Sequence, residues 1–318
     1  MRIAVLKETA AGESRVAASP ETVKKFIALG ASVAVQAGAG LNAAIADADY
    51  AAAGAEVSKD PAKGADIVLG VQGPEVAALK GANKAAWIVA GLDPFGQRAK
   101  IDAYAKAGFE ALAMEFMPRI TRAQSMDILS SQSNLSGYKA VIEAANAYSR
   151  AFPMMMTAAG TVSAAKCFVM GVGVAGLQAI ATARRLGAQV SATDVRSATK
   201  EQIMSLGAKP VFVENVAGIE GEGAGGYATE MSPEYQAAQA ELVSSHIAKQ
   251  DIVITTALIP GRAAPRLVSD AQLASMKPGS VVFDLAVAQG GNVEGSKADE
   301  VVIRHGVKII GWSNTPAH

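Results

Sequence analysis

One stretch decides the fold: Lys166-Cys167-Phe168-Val169-Met170-Gly171-Val172-Gly173-Val174-Ala175-Gly176. An apolar run typical of a buried parallel strand leads directly into glycines spaced Gly-x-Gly-x-x-Gly, and a helical pattern follows at residues 177–186. In this context Gly171 permits a tight turn, Gly173 lets a pyrophosphate approach the backbone, and Gly176 lets helix and strand pack closely. The stretch predicts a Rossmann-like dinucleotide site on the N–H groups of residues 171–176. The alternative is a tight strand-to-helix turn without a ligand.

An acidic residue ends the next predicted strand. Asp194 follows Gly173 by 21 residues, where dinucleotide-binding folds have a carboxylate that binds the ribose hydroxyls. A carboxylate there repels a 2′-phosphate and so favours NAD(H) over NADP(H). Arg196 weakens this preference, because a nearby arginine can accept a 2′-phosphate. We expect Asp194, Val195 and Arg196 to contact the adenosine end of NAD(H).

Outward from this stretch, short apolar runs alternate with helical patterns, which is typical of parallel sheets covered by helices on both faces. Ser19 and Pro20 predict the start of a helix, and Gly30 its end. The predicted strands are residues 3–6, 32–36, 66–71, 86–91, 109–113, 166–170, 188–193, 210–213, 251–256 and 280–285.

Length and texture indicate two domains. A single core rarely grows past about 250–300 residues, and the chain has 318. Residues 117–136 are polar without a strand-like run, and a helical pattern at 137–152 ends at Pro153, after which Met154 to Met156 are expected to pack the junction. We therefore predict an α/β fold of two doubly wound parallel-sheet, Rossmann-like domains with a cleft between them. Residues 1–130 plus 311–318 form the first domain, and residues 131–310 form the NAD(H)-binding domain.

The composition excludes several classes of protein. Lys plus Arg and Asp plus Glu both number 29, so the zero net charge disfavours nucleic acid or an anionic membrane surface as a partner. Cys167 is the one cysteine, which excludes an internal disulfide; it lies inside a predicted strand and is interpreted as a core residue. The three histidines are far apart, so no metal site is expected. The 21 uncharged residues 26–46 include glycines and polar residues, which favours a soluble, cytoplasmic protein over a membrane span.

The first predicted domain lacks an obvious acid or base. Residues 1–130 contain no histidine, and their lysines fall at positions typical of exposed helices and loops. A dehydrogenase acting on an alcohol or amine must move a proton as well as a hydride. Hydride transfer between two nicotinamides releases no proton at the reacting carbons, and needs orientation and exclusion of water instead. The missing base therefore favours the second chemistry.

Residues 117–135, Met-Pro-Arg-Ile-Thr-Arg-Ala-Gln-Ser-Met-Asp-Ile-Leu-Ser-Ser-Gln-Ser-Asn-Leu, closely resemble the NAD(H)-binding alpha subunit of proton-translocating NAD(P) transhydrogenase. Residues 152–161 and 255–261 resemble the same family, as do residues 7–20, and the resemblance extends in order over the whole chain. It implies direct, Si/Re-specific hydride transfer between NADH and NADP⁺ bound on a partner domain, coupled to proton translocation. It further implies a homodimer. This dimer would work only with an NADP(H)-binding beta-subunit domain and a membrane subunit, peripherally on the cytoplasmic face of the inner (plasma) membrane.

The resemblance also assigns site residues. Arg119, Gln124, Asp127 and Ser130 match the family loop that holds the nicotinamide and its ribose, where Arg119 and Asp127 could pair and Asp127 or Ser130 could bind the carboxamide. An interdomain loop with ordinary polar contacts is the alternative.

Two more segments match the family. Gly226, Tyr227 and Ala228 fall in a loop that closes over bound nucleotide, for which plain disorder without a gating role is the alternative, and Leu258 matches a further nucleotide-binding position.

Alanine dehydrogenase, which shares the fold, is the main alternative. Its catalytic lysine and histidine correspond by resemblance to Gln72 and Gly91 here, whereas the carboxylate-binding arginine is retained as Arg15. Neither glutamine nor glycine can act as an acid or base near neutral pH, so Arg15 is interpreted as structural. A non-catalytic NAD-sensing protein is a third hypothesis, which residues 117–135 disfavour.

Overall fold

The computed structural model describes residues 1–118, 120–214, 232–259 and 261–318. They form two compact units, one of Met1–Leu129 with Ala317–His318, the other of Ser130–Pro316. Residues 311–316, expected in the first domain, therefore belong to the second. The reason is that the last strand, Val307–Gly311, pairs within the second sheet, and Trp312 packs against the core of the same unit.

The first unit is built on one sheet of six parallel strands. Its strands are β1 Arg2–Val5, β2 Ser32–Gln36, β3 Glu56–Ser58, β4 Ile67–Gln72, β5 Trp87–Gly91 and β6 Glu110–Ala113, and its helices are α1 Pro20–Ala28, α2 Asp47–Ala52 and α3 Arg98–Lys106. The strand order is β3-β2-β1-β4-β5-β6. α1 begins as predicted, because the Ser19 hydroxyl accepts a hydrogen bond from the Thr22 N–H and Pro20 is the first helical residue.

The second unit is built on a sheet of seven strands. Its strands are β9 Lys166–Met170, β10 Gln189–Thr193, β11 Lys209–Pro210, β12 Ile252–Thr255, β13 Val281–Asp284, β14 Glu300–Arg304 and β15 Val307–Gly311; α4 Ile128–Ala147, α5 Val174–Arg185, α6 Thr199–Ser205, α7 Pro233–Ile247 and α8 Asp270–Ser275 complete the list of helices. The order is β11-β10-β9-β12-β13-β15-β14, and only the pairing of β14 with β15 is antiparallel. Both sheets confirm the predicted α/β fold of two Rossmann-like parallel sheets.

The central strand β9 is buried on both faces. Cys167, Phe168 and Val169 have no exposed surface, and burial raises the pKa of the Cys167 thiol to about 12. A thiol in this state is protonated and enclosed, which agrees with its interpretation as a core residue. Because β9, β10, β12 and β13 are parallel, the residues that follow them lie at one edge of the sheet.

α4 differs from its predicted bounds. It begins at Ile128, nine residues before the predicted start at 137, and ends at Ala147. Its first turns are rich in Ser, Gln and Asn, whose weak helix propensity hid the early start. At the other end, the Lys308 Nζ donates to the carbonyl oxygen of Ala147 at 2.7 Å, which stabilises the last turn.

A hairpin that the sequence did not predict follows Pro153. It consists of β7 Met155–Thr157 and β8 Gly160–Val162, paired antiparallel, and all six residues are exposed. The prediction that Met154 to Met156 pack the junction is wrong, since their exposed fractions are 60%, 49% and 74%. The error arose because an apolar run alone does not distinguish a core segment from an exposed hairpin.

Candidate functional site

The glycine turn between β9 and α5 has two crowded positions and one open position. Gly171 has a φ of +99°, and a Cβ there would lie 2.5 Å from the Thr256 Oγ1. A Cβ on Gly176 would lie 1.9 Å from the carbonyl oxygen of Gly171. At Gly173, in contrast, φ is −81° and a Cβ would meet nothing within 4 Å. Gly171 and Gly176 are thus required by the fold, whereas Gly173 leaves open space at the N-terminus of α5.

A third glycine, outside the motif, fixes the first turn of α5. Gly137 on α4 is buried, and a Cβ on it would lie 2.1 Å from the carbonyl oxygen of Ala175. Because the obstructing atoms belong to the backbone, no side-chain rotation could relieve this contact. α4 therefore determines where the first N–H groups of α5 point, including those of Val174 and Ala175. Sequence reasoning missed Gly137 because nothing local distinguishes it from other helical glycines.

Asp194 is buried beside this turn and is fully hydrogen-bonded. Its Oδ2 accepts from the Val172 N–H at 2.7 Å and from the Arg196 Nη2 at 2.9 Å. Its Oδ1 accepts from the Arg196 backbone N–H and from the Arg196 Nε, both at 2.9 Å. Burial raises the pKa of the Asp194 carboxyl, but the bonds from Arg196 and Val172 outweigh it, so the pKa is lowered. The carboxylate is therefore ionised at neutral pH.

These contacts refine the predicted role of Asp194. A carboxylate offers about four lone-pair sites, and Val172 and Arg196 occupy them all. A ribose hydroxyl can bind Asp194 only when the Arg196 guanidinium gives up at least one of its bonds. The Val172 N–H already binds Asp194, so the open N–H groups for a phosphate lie further along the turn.

The adenosine end has a neighbour that the sequence did not suggest. Val195 packs against a small cluster whose buried members are Val213 and Tyr235. Tyr235 lies in the first turn of α7, and burial, followed by the negative charge of Asp194, raises the pKa of its phenol. Tyr235 is therefore a protonated, enclosed side chain that holds Val195 in place.

The predicted nicotinamide residues lie around the start of α4. Gln124 is exposed in a 3₁₀ turn, Thr121–Met126. Asp127 directly precedes α4, where a carboxylate interacts favourably with the helix dipole, and Ser130 lies in the first turn. Both are half-buried.

The remaining predicted site residues are divided between described and undescribed parts of the chain. Leu258 follows β12 and is 41% exposed. Arg119, Gly226, Tyr227 and Ala228 lie outside the described residues.

The retained Arg15 is held by a buried carboxylate. Its Nε and Nη2 donate to the two oxygens of Glu13, each at 2.7 Å, and Glu13 is only 4% exposed. The Gln72 Nε2 also donates to Glu13, at 2.8 Å. Gln72 therefore serves as a neutral donor where an amino-acid dehydrogenase would need an ionisable amine. A Cβ on Gly91 would lie 3.0 Å from the carbonyl oxygen of Val71, so this position is also crowded.

The described residues show neither a membrane helix nor a metal cluster. No helix among them is long and apolar enough to cross a bilayer. In the same portion of the chain, no group of three or more His, Cys, Asp or Glu side chains could hold a metal ion.

Comparison with known proteins gives consistent matches. The family models for the N-terminal and C-terminal domains of alanine dehydrogenase/PNT match residues 4–136 and 140–318. The first of the polypeptides that make up NAD(P) transhydrogenase subunit alpha in Rhodospirillum rubrum is 53% identical, covering 100% of this chain and 85% of its own. The crystal structure of transhydrogenase from Sinorhizobium meliloti matches with a TM-score of 0.92 and 57% identity, over 100% of this chain and 87% of its own. Alanine dehydrogenase of Mycobacterium tuberculosis is 30% identical, over 93% and 75%. These matches confirm the resemblance found in the sequence.

The three motif glycines should respond differently to alanine. Gly173→Ala adds a methyl group into open space, so the melting temperature should change by no more than a few degrees. The same methyl group occupies the approach to the turn, so the NADH dissociation constant should rise about ten-fold or more. Gly176→Ala should instead abolish stable folding, because its Cβ meets backbone. Thermal melts and NADH fluorescence titration measure both. Unchanged affinity in Gly173→Ala would contradict a ligand at this turn.

Removing the Asp194 carboxylate should weaken NADH binding. Asp194→Ala should raise the NADH dissociation constant about 10–100-fold, the equivalent of about 1.5–3 kcal/mol for charged hydrogen bonds. Because the folded-state pKa is lowered, the stability from this group is complete above the unfolded pKa of about 3.9 and is lost as pH falls through the lower folded value. NADH affinity should therefore be flat through neutral pH. Asp102→Ala, an exposed carboxylate paired with Arg98, is the control. Equal affinities in the two variants would remove Asp194 from the site.

Proposed function

Because the chain belongs to the alanine dehydrogenase/PNT family, we propose that it is the NAD(H)-binding component of a proton-translocating NAD(P) transhydrogenase. The alternative is an alanine dehydrogenase-like amino-acid dehydrogenase. One observation carries the choice: the Glu13 cluster contains Arg15 and Gln72, with glycine at position 91. An amino-acid dehydrogenase needs an acid and a base at the reacting carbon. Hydride transfer between nicotinamides needs neither.

The residues around the glycine turn fit a dinucleotide. The open space at Gly173 and the N-terminal N–H groups of α5 suit a pyrophosphate. Asp194 suits ribose hydroxyls, and its negative charge favours NAD(H). When bound, NADH supplies the hydride, which passes to NADP⁺ on the partner domain.

The chain's own task at the nicotinamide end is orientation. We assign Gln124, Asp127 and Ser130, together with Arg119, to holding the nicotinamide ring and its ribose. Leu258 and the segment Gly226, Tyr227 and Ala228 complete the nucleotide site and exclude water. Excluding water prevents side reactions and lets fixed dipoles act on the ligand. No described side chain needs to gain or lose a proton in this scheme.

The partners follow from the same proposal. The relative from Rhodospirillum rubrum is named as one portion of a subunit alpha, which supports assembly with further subunits. We assign the NADP(H) site to a beta-subunit domain and proton translocation to a membrane subunit. The chain then binds peripherally on the cytoplasmic face of the inner membrane.

A homodimer is supported by the exposed hairpin β7–β8. A two-stranded hairpin is marginally stable alone, and neither strand pairs with another among the described residues. Residues 151–165 carry no charge, so two copies of the hairpin can approach each other without repulsion. Burying Met155 and Met156 against a second copy would remove a large apolar surface from water. We assign this hairpin to the dimer interface.

Reconstitution tests the function. The purified chain, mixed with a purified NADP(H)-binding domain of a transhydrogenase, should transfer hydride from NADH to an NADP⁺ analogue. In this mixture Gln124→Asn should leave NADH affinity within a few-fold but slow transfer about ten-fold or more, because a misplacement near 1 Å can cost ~100-fold in rate. Stopped-flow absorbance separates the two quantities, and the exposed Gln97→Asn is the control.

Two outcomes would contradict these assignments. A parallel loss of affinity and rate in Gln124→Asn would make Gln124 an ordinary binding residue. Sustained NADH production from alanine and NAD⁺ by the chain alone, at any pH between about 6 and 10, would show acid–base groups and support the dehydrogenase alternative.

The dimer interface is tested by making the hairpin polar. The double variant Met155→Ser, Met156→Ser should raise the dimer dissociation constant about 100-fold or more, since each buried methionine contributes about 1.5–3 kcal/mol. Sedimentation velocity measures the shift from twice the chain mass to the monomer mass. Met204→Ser, an equally exposed methionine on α6, controls for apolar surface in general. A monomeric wild type, or an unchanged double variant, would remove the hairpin from the interface.

A further inference from the structure

A second set of polar side chains lies at the same edge of the sheet as the glycine turn. We propose that Thr256 and Asn292 are positioning residues that hold the glycine turn ready for the dinucleotide. This inference rests on the proposed function for its ligand, but the contacts that carry it are independent of any ligand. Neither residue was found from the sequence as a site residue.

Thr256 binds the turn directly. It follows β12, and its Oγ1 donates to the carbonyl oxygen of Gly171 at 3.0 Å. Its N–H donates to the carbonyl of Met170 at 2.9 Å. The hydroxyl therefore fixes the peptide of Gly171, the residue with the positive φ that reverses the chain. It also lies where a Cβ on Gly171 would be, at 2.5 Å, so the contact is close as well as polar.

Asn292 holds the loop that carries Thr256. It has no exposed surface. Its Oδ1 accepts from the Ala257 N–H at 3.1 Å, and its Nδ2 donates to the carbonyls of Ala257 and Pro265 at 2.9 Å and 2.8 Å. The amide thus pairs with Ala257 as a neighbouring peptide group would. It fixes the residue next to Thr256 and joins it to a segment eight residues further along the chain.

Asp284 in turn fixes Asn292. Asp284 ends β13 and is also fully buried. Its carboxylate accepts from the N–H groups of Ala286, Asn292 and Val293 at 2.9 Å, 3.2 Å and 3.2 Å. A continuous path of hydrogen bonds therefore runs from β13 through Asn292 and Ala257 to Thr256 and Gly171. Its origin in a sheet strand gives the turn a rigid support.

The consequence for binding is preorganisation. Backbone N–H groups bind a phosphate well only when they are already aimed at it, because aligning them on binding costs affinity. The path fixes the turn from the side opposite α4, so that two elements constrain it. Loss of the Thr256 hydroxyl should release the turn on one side while leaving the fold intact.

The test compares two conservative substitutions of Thr256. Thr256→Val keeps the shape and removes the hydroxyl, whereas Thr256→Ser keeps the hydroxyl and removes the methyl group. Thr256→Val should raise the NADH dissociation constant roughly three- to ten-fold, and amide hydrogen exchange of residues 171–176 should become faster in the absence of ligand. Thr256→Ser should match wild type in both. Thr315→Val, which removes a buried hydroxyl bound to the carbonyl of Trp312, is the matched control.

Asn292→Asp adds a second line of evidence. It removes both donors from the carbonyls of Ala257 and Pro265, so it should raise exchange at residues 171–176 in the same way. If this variant does not fold, the Thr256 pair still decides. Exchange and affinity that are unchanged in Thr256→Val, or equally altered in Thr256→Ser, would overturn the proposal, and so would faster exchange with unchanged NADH affinity. If wild type binds no NADH, the proposed function fails, and the exchange data alone establish or overturn the hold on the turn.

Discussion

The close approach of backbone to backbone around the glycine turn is the constraint on which the second unit depends. Gly176 lies against the carbonyl of Gly171, and Gly137 on α4 lies against that of Ala175; a Cβ would come within 1.9 Å and 2.1 Å of these oxygens. Such contacts cannot be relieved by moving a side chain. They place β9, α4 and α5 at one fixed separation, and the direction of the first N–H groups of α5 follows from it.

Local chemistry made the centre of the site predictable. The glycine spacing, the strand before it and the acid after the next strand all act over a few residues, so the sequence predicted the turn and Asp194. The saturation of Asp194 by Arg196 could not be predicted, because it depends on side-chain conformation. Gly137 and Asn292 act over 38 and 35 residues of chain separation on Ala175 and Ala257, and no local pattern marks such partners.

The errors have the same origin. α4 begins in a polar stretch because tertiary contacts outweigh weak propensity there. The methionines after Pro153 are exposed although their composition suggests a core. The strand order of both sheets was likewise beyond a single sequence, which indicated parallel sheets but not that β1 and β9 pair on both sides.

The charge states around the turn agree with a reaction that moves no proton on this chain. The Asp194 carboxyl has a lowered pKa and the Tyr235 phenol a raised one, so both keep their charge across neutral pH. In the first unit, Arg15 and Gln72 both bind Glu13, and neither residue is a proton donor or acceptor near neutrality. A site built from groups of constant charge binds its dinucleotide equally well while the proton concentration changes. Under the proposed function, any coupling between hydride transfer and proton movement then depends on titratable groups in the partner subunits.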